Sequence, residues 1–332
     1  MRRTTVYYLL LANLMITSHM VYNCFVRGCV PLDSAVDYTN LSNTFYYLGF
    51  SCFFFGYGCQ IKDHGLNWNT FVLAAIIIVF GMVSGVALAP KEKWVDFTGI
   101  VDGTWLIWFL PVLAVYMLTA VPASTRYMNI PFPLRMVMPV FFMSLYLMAR
   151  IVSWKDINLD FCYMGKIFFF LPMLYAGYLY RTDLMGREYF KQYLRLTTWV
   201  GASAIGIVSL VFLNYSEFSF LKYQSVVDCL LQLCALTWCL SLFGSVLHNV
   251  KERHLEYRDK WTEENTMLHA ILPAMVLSVV MLELALRNEV FKAEMGIHYM
   301  VMPLGVGLLL LLASYSLVGL ALSLVCMFKK KK

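Results

Sequence analysis

A histidine stands inside the first apolar run of this chain, where hydrocarbon would leave an ionisable group no aqueous partner. Residues 6–26, VYYLLLANLMITSHMVYNCFV, are preceded by Arg2 and Arg3 and followed by Arg27, with His19 near the far end. At about 1.5 Å of rise per helical residue the run is long enough to cross a bilayer, and His19 falls about 20 Å from its start. A turn of about 100° per residue puts Met15, His19, Tyr22 and Asn23 on one face, so an imidazole and an amide share a space between helices. An imidazole titrating near pH ~6.5 can remove a proton from a hydroxyl as that hydroxyl attacks an acyl carbon. The plainer use of the same ring is a hydrogen bond that fixes a neighbouring helix.

Other polar side chains fall at a similar depth when the remaining apolar runs are laid out. These are 43–61, 69–90, 102–122, 131–153, 160–180, 196–214, 226–250, 267–288 and 297–328, ten in all with the first. Asp102 opens the fourth, Arg150 closes the fifth, and Asp160 and Lys166 begin the sixth. Asp228 and Gln232 begin the eighth, Glu283 ends the ninth and His298 begins the tenth. Burying a charge in hydrocarbon costs several kcal/mol unless it pairs or meets water, so these groups predict a polar cavity open to the outer side. Their boundary positions, and the favourable i,i+4 spacing of Glu283 and Arg287, also fit ordinary interfacial polarity.

Composition supports the frame in which those depths have meaning. The 332 residues are 60% hydrophobic and 14% charged, with a mean hydropathy of +0.67, the balance of an integral membrane protein. The expected fold is all-α: about ten transmembrane helices in one bundle, a single domain over 1–332, because the connections are too short for a soluble domain. The first run is a full span rather than the short core of a cleaved leader, and is expected to stay attached. With both termini cytoplasmic, 17 of the 26 Lys and Arg residues collect on that side, densest around 181–195 and 251–260, as the positive-inside rule requires. The net charge of +6 is accounted for by these loops, and nothing points to nucleic acid.

Several chemistries lack their necessary parts. The nine cysteines, at 24, 29, 52, 59, 162, 229, 234, 239 and 326, mostly fall within the runs, where a thiol acts as a small apolar side chain, and none has metal-ligand spacing. No metal site is expected. There is no HExxH, no Gly-rich phosphate loop, no GxSxG and no histidine pair at haem-ligand spacing.

The order of features resembles the membrane acyltransferase-3 family, the polysaccharide and glucan O-acyltransferases. It is carried by ten spans with both ends cytoplasmic, a histidine in the outer part of span one, and four stretches: GTWLIWFLPVLAVYML at 103–118, FFFLPMLYAGYLYR at 168–181, LHAILP at 268–273 and FYYLGFSCFFFGYG at 45–58. The family's Asp and Arg-Gly ahead of the histidine have no counterpart in YYLLLANL at 7–14, so only His19 is carried over as a functional residue.

The resemblance implies transfer of an acyl group, in the simplest case acetyl, from cytoplasmic acyl-CoA to an extracytoplasmic carbohydrate hydroxyl. The donor would be a substrate rather than a tightly bound cofactor, and the partners membrane lipid and a carbohydrate or lipid-linked glycan. His19 would be the base. Asn23, Asp102, Asp228 or Glu283 would orient it or the acceptor, and Arg126, Arg135, Arg181 and Arg195 stand near cytoplasmic ends where donor phosphates would need cations. A transporter or flippase using the same outward cavity, and a non-catalytic membrane subunit, are the alternatives. Because the resembled family is chiefly bacterial, a bacterial cytoplasmic membrane is expected; the terminal FKKKK and the sequons at Asn40 and Asn214 are the cues for an endoplasmic reticulum instead.

Overall fold

The computed structural model describes residues 11–19, 32–60, 72, 74–76, 79, 109–127, 130–153, 164–180, 200, 201, 204, 232–236, 239, 273, 274, 276–278, 281 and 308–317. Every one of them except Ile130 and Pro131 is helical, and no strand occurs among them. The long helices are α1 (Leu32–Gln60), α2 (Phe109–Tyr127), α3 (Phe132–Ser153) and α4 (Met164–Leu179). Among the described residues no helix is long and apolar enough to cross a membrane.

The start of α3 shows how the local sequence sets an end. No Ser, Thr, Asp or Asn immediately precedes it; instead the Pro131 carbonyl accepts from the backbone N–H groups of Leu134 at 3.0 Å and Arg135 at 3.1 Å. Pro133 falls in the first turn, where a missing N–H costs no intrahelical bond. Further on, α3 and α4 each run through an internal proline, Pro139 and Pro172. A proline removes one helical hydrogen bond and pushes on the carbonyl four residues back, so neighbouring carbonyls need other donors.

The chain divides into two compact units. One comprises 1–53, 192–219 and 237–332; the other comprises 54–191 and 220–236. In the second unit the described packing centres on α4. Tyr146 meets Phe169 edge to face at 5.4 Å and Phe142 stacks on Tyr175 at 4.6 Å, so α3 runs antiparallel along α4. On another side of α4 a Cβ added to Gly58 would land on the Leu174 carbonyl oxygen, and one added to Gly177 on the Phe55 carbonyl oxygen. Only paired glycines allow two helix backbones to come that close. Phe54 fills the space beside this crossing, 5.2 Å from Tyr116 and 5.2 Å from Phe170.

Three side chains donate to carbonyls of α4. The Tyr116 hydroxyl reaches the Ile167 carbonyl, the Gln232 amide Nε2 the Phe169 carbonyl at 3.0 Å, and the Cys59 thiol the Gly177 carbonyl at 3.3 Å. The bond to Phe169 falls one residue after Phe168, whose carbonyl loses its helical donor to Pro172, while the Gln232 Oε1 has no partner. Gln232, expected among the polar groups of an outward cavity, thus has its amide committed to the packing of this unit.

The exposed residues are of one kind. Among the described residues none that is exposed carries a charge or an amide: they are aliphatic residues, Phe141, Met148, prolines and three hydroxyl-bearing residues. Each hydroxyl bonds its own helix, Thr119 to the Val115 carbonyl at 2.7 Å, Ser144 to Val140 at 2.9 Å and Ser316 to Leu312 at 2.8 Å. On α3 an apolar face runs at helical spacing through Leu134, Val137, Val140, Phe141 and Met148, with the hydroxyl of Ser144 between the last two. Buried positions, by contrast, include Asn13, Thr17, Ser18, Ser51, Gln232, Ser278 and Ser314.

Candidate functional site

His19 ends the described helical stretch 11–19, whose remaining residues are mostly buried, and is itself half-buried. This stretch lies against α1 within the first unit. A Cβ added to Gly49 would come to 2.9 Å from both Ile16 Cγ1 and the Ile16 backbone nitrogen, and to 3.1 Å from Met15 Cβ. Glycine at 49 therefore sets how closely the two backbones approach.

One turn on from that crossing, in opposite chain directions, His19 meets Tyr46 with ring centroids 5.0 Å apart and planes tilted by 59°. Tyr46 in turn lies against Tyr47 at 5.1 Å and Phe50 at 5.2 Å, both near edge to face. The imidazole thus stands at the margin of an aromatic wall, partly shielded from the surroundings. A ring held this way keeps a restricted orientation.

Behind His19 the same stretch carries a buried polar seam. Thr17 and Ser18 return their hydroxyls to the Asn13 and Leu14 carbonyls, each at 2.8 Å. Asn13 donates its side-chain amide to the Tyr315 hydroxyl at 3.0 Å, while its Oδ1 has no hydrogen-bond partner. On α1 the buried Ser51 hydroxyl is likewise unsatisfied. Beside Tyr315, Ser314 accepts from the Ser278 hydroxyl at 2.9 Å. Leaving a buried acceptor unpaired costs about 1–3 kcal/mol, so Asn13 Oδ1 and Ser51 Oγ are uncompensated in a region that is otherwise carefully paired.

The expected site residues fall into three groups. His19 is described, with Met15 from its expected face buried beneath it. Arg135 is described as a half-buried residue in the first turn of α3, and Arg126 as part of α2 by its backbone alone. Asn23, Asp102, Asp228, Glu283, Arg181 and Arg195 lie outside the described residues. No three His, Cys, Asp or Glu side chains converge in a way that would hold a metal among the described residues.

Sequence reasoning missed Tyr46, Gly49, Asn13 and Tyr315. Signals were present for three of them: Asn13, Thr17 and Ser18 recur at i, i+4 and i+5 in an apolar run, and Tyr46 and Gly49 belong to FYYLGFSCFFFGYG. That stretch and the first-span histidine, two features on which the family resemblance rests, are neighbours in the fold. No protein-family model, no curated protein and no solved structure matches the chain.

Proposed function

We propose that this chain is a polytopic integral membrane protein that transfers an acyl group from cytoplasmic acyl-CoA to the hydroxyl of an extracytoplasmic carbohydrate or lipid-linked glycan, with His19 as the base. The membrane half of the reading is supported by the surface. Water solvates charged and amide side chains at little cost, and soluble proteins carry many; hydrocarbon admits apolar groups and hydroxyls that return their hydrogen bonds to their own helix. The exposed residues described are all of the second kind. Helices α3 and α4 fall in the runs 131–153 and 160–180, α1 and α2 overlap the runs 43–61 and 102–122 while extending beyond them, and the other expected spans lie mostly outside the described residues.

The observation that carries the chemistry is the half-buried His19 ring beside Tyr46. In this mechanism His19 takes the acceptor's hydroxyl proton as its oxygen attacks the thioester carbonyl, the C–S bond breaks, and the thiolate leaves protonated. Such a base contributes about 10²–10⁴-fold. Membranes carrying His19→Ala are therefore expected to lose at least about 10²-fold in transfer of labelled acetyl from acetyl-CoA to cell-envelope glycan, while protein yield and thermal unfolding stay unchanged. Undiminished transfer removes His19 as the base. Orientation is tested separately: a cysteine placed at Lys155 is expected to react with impermeant reagents only from the outside.

A flippase would call for helices interrupted near the middle of the membrane. Helices α3 and α4 instead continue through Pro139 and Pro172, as α2 does through Pro111 and Pro122, and two donated hydrogen bonds reach α4 on the N-terminal side of Pro172. This favours a fixed site over alternating openings.

A further inference from the structure

Cys52 on α1 and Cys239 are both fully buried thiols outside any disulfide, and their sulfurs stand 3.7 Å apart, the Cys239 thiol donating to Cys52. They are 187 residues apart in sequence, and both belong to the first unit: Cys52 is the last residue but one of its segment 1–53, and Cys239 the third of its segment 237–332. We propose that these two thiols are a modification site, an oxidisable pair that an uncharged hydroperoxide converts to a disulfide, and that the bond ties the point where the chain first leaves this unit to the point where it finally returns. The inference does not rest on acyl transfer.

The distance carries the argument. At 3.7 Å the sulfurs are already in van der Waals contact, and a bond of about 2.05 Å needs about 1.7 Å of approach, shared between two side chains. The surroundings select the product. Between Ser51 and Phe53 on α1 the pair has no exposed surface, and among the described residues no further His, Cys, Asp or Glu joins it to complete a metal's ligand set, whereas a disulfide is neutral and needs only the two sulfurs. The oxidant must be uncharged, since a charge would be without solvent there. One sulfur attacks the peroxide O–O bond, giving a sulfenic acid and an alcohol; the second sulfur displaces water from that sulfenic acid. Two thiols lose two electrons and two protons, the peroxide is reduced, and the products are one disulfide, one alcohol and one water.

The test treats the full chain in its membranes with hydrogen peroxide, or with cumene hydroperoxide as a lipid-soluble arm, until no free thiol remains at the half-buried Cys234. Digestion without reduction and mass spectrometry then read every linkage among the nine cysteines. The expected result is a linked peptide pair joining Cys52 to Cys239, at least about ten-fold more abundant than any other pair and lost on reduction. Cys52→Ala and Cys239→Ala should each abolish it, and the wild-type measurement stands alone if either variant folds poorly. Recovery of Cys52 and Cys239 as free thiols or separate sulfinic or sulfonic acids, or linkage of either to another cysteine, overturns the proposal.

Discussion

Two helix crossings, each built on glycine, do different work in this molecule. At Gly58 and Gly177 each missing side chain makes room for a backbone carbonyl of the facing helix, and the surrounding aromatic side chains fill the remaining space. At Gly49 the missing side chain makes room for Met15 and Ile16, and the surroundings include a buried asparagine and serine with unsatisfied oxygens and a half-buried histidine. At the first crossing Tyr116, Gln232 and Cys59 supply donors to α4, and the Gln232 Oε1 is the atom left without a partner there among the described residues. The second retains polar groups that the fold alone does not require. Unsatisfied buried polarity beside an ionisable ring is where chemistry is expected, and side-chain donors spent on helix carbonyls around a proline turn are where rigidity is expected.

Substitutions can break this contrast. The largest effect is expected from Gly58→Ala or Gly177→Ala, because the new methyl meets a main-chain oxygen that cannot move without displacing a helix; the loss should be about 3 kcal/mol or more, read as loss of folded protein in detergent. Gly49→Ala should cost less, about 1–2 kcal/mol, since Ile16 Cγ1 can rotate away although its backbone nitrogen cannot. Its signature is a loss of acyl transfer well beyond its effect on thermal unfolding, because the crossing positions His19 against Tyr46. Equal losses in both readouts would make the Gly49 crossing a second purely structural contact. The smallest effect is expected from Gln232→Leu, about 1 kcal/mol, since it removes a side-chain donor to the Phe169 carbonyl together with the unsatisfied Gln232 Oε1.

Much of the helical framework can be read from apolar periodicity, and its errors have physical reasons. The run 131–153 coincides with α3 to within one residue at its start. Helix α1 begins eleven residues before the apolar run at 43, continuing through Asp33 and Asp37, because hydropathy measures apolarity while a helix needs only its backbone hydrogen bonds. His19 was legible because an ionisable residue in an apolar run is costly. Its neighbours were not, because sequence shows that Gly49, Gly58 and Gly177 are small but not which backbone each one meets. The Cys52–Cys239 pair was invisible for the same reason: 187 residues of intervening chain separate two thiols that each read as core filler. Gln232 misled in the opposite direction, since a polar residue near a span end looks like a cavity group until its acceptor, the Phe169 carbonyl, is seen.

The proposed acyl transfer across a membrane depends on the exposed apolar surface facing hydrocarbon, and that can be measured without altering the chain. A photoactivated carbene reagent confined to the lipid phase of native membranes should mark α3 at Leu134, Val137, Val140, Phe141 and Met148, while hydroxyl radicals generated in the aqueous phase leave the same residues unmodified. Hydroxyl-radical modification of Met148 and Phe141, with no carbene label on α3, would place that face in water and contradict the account.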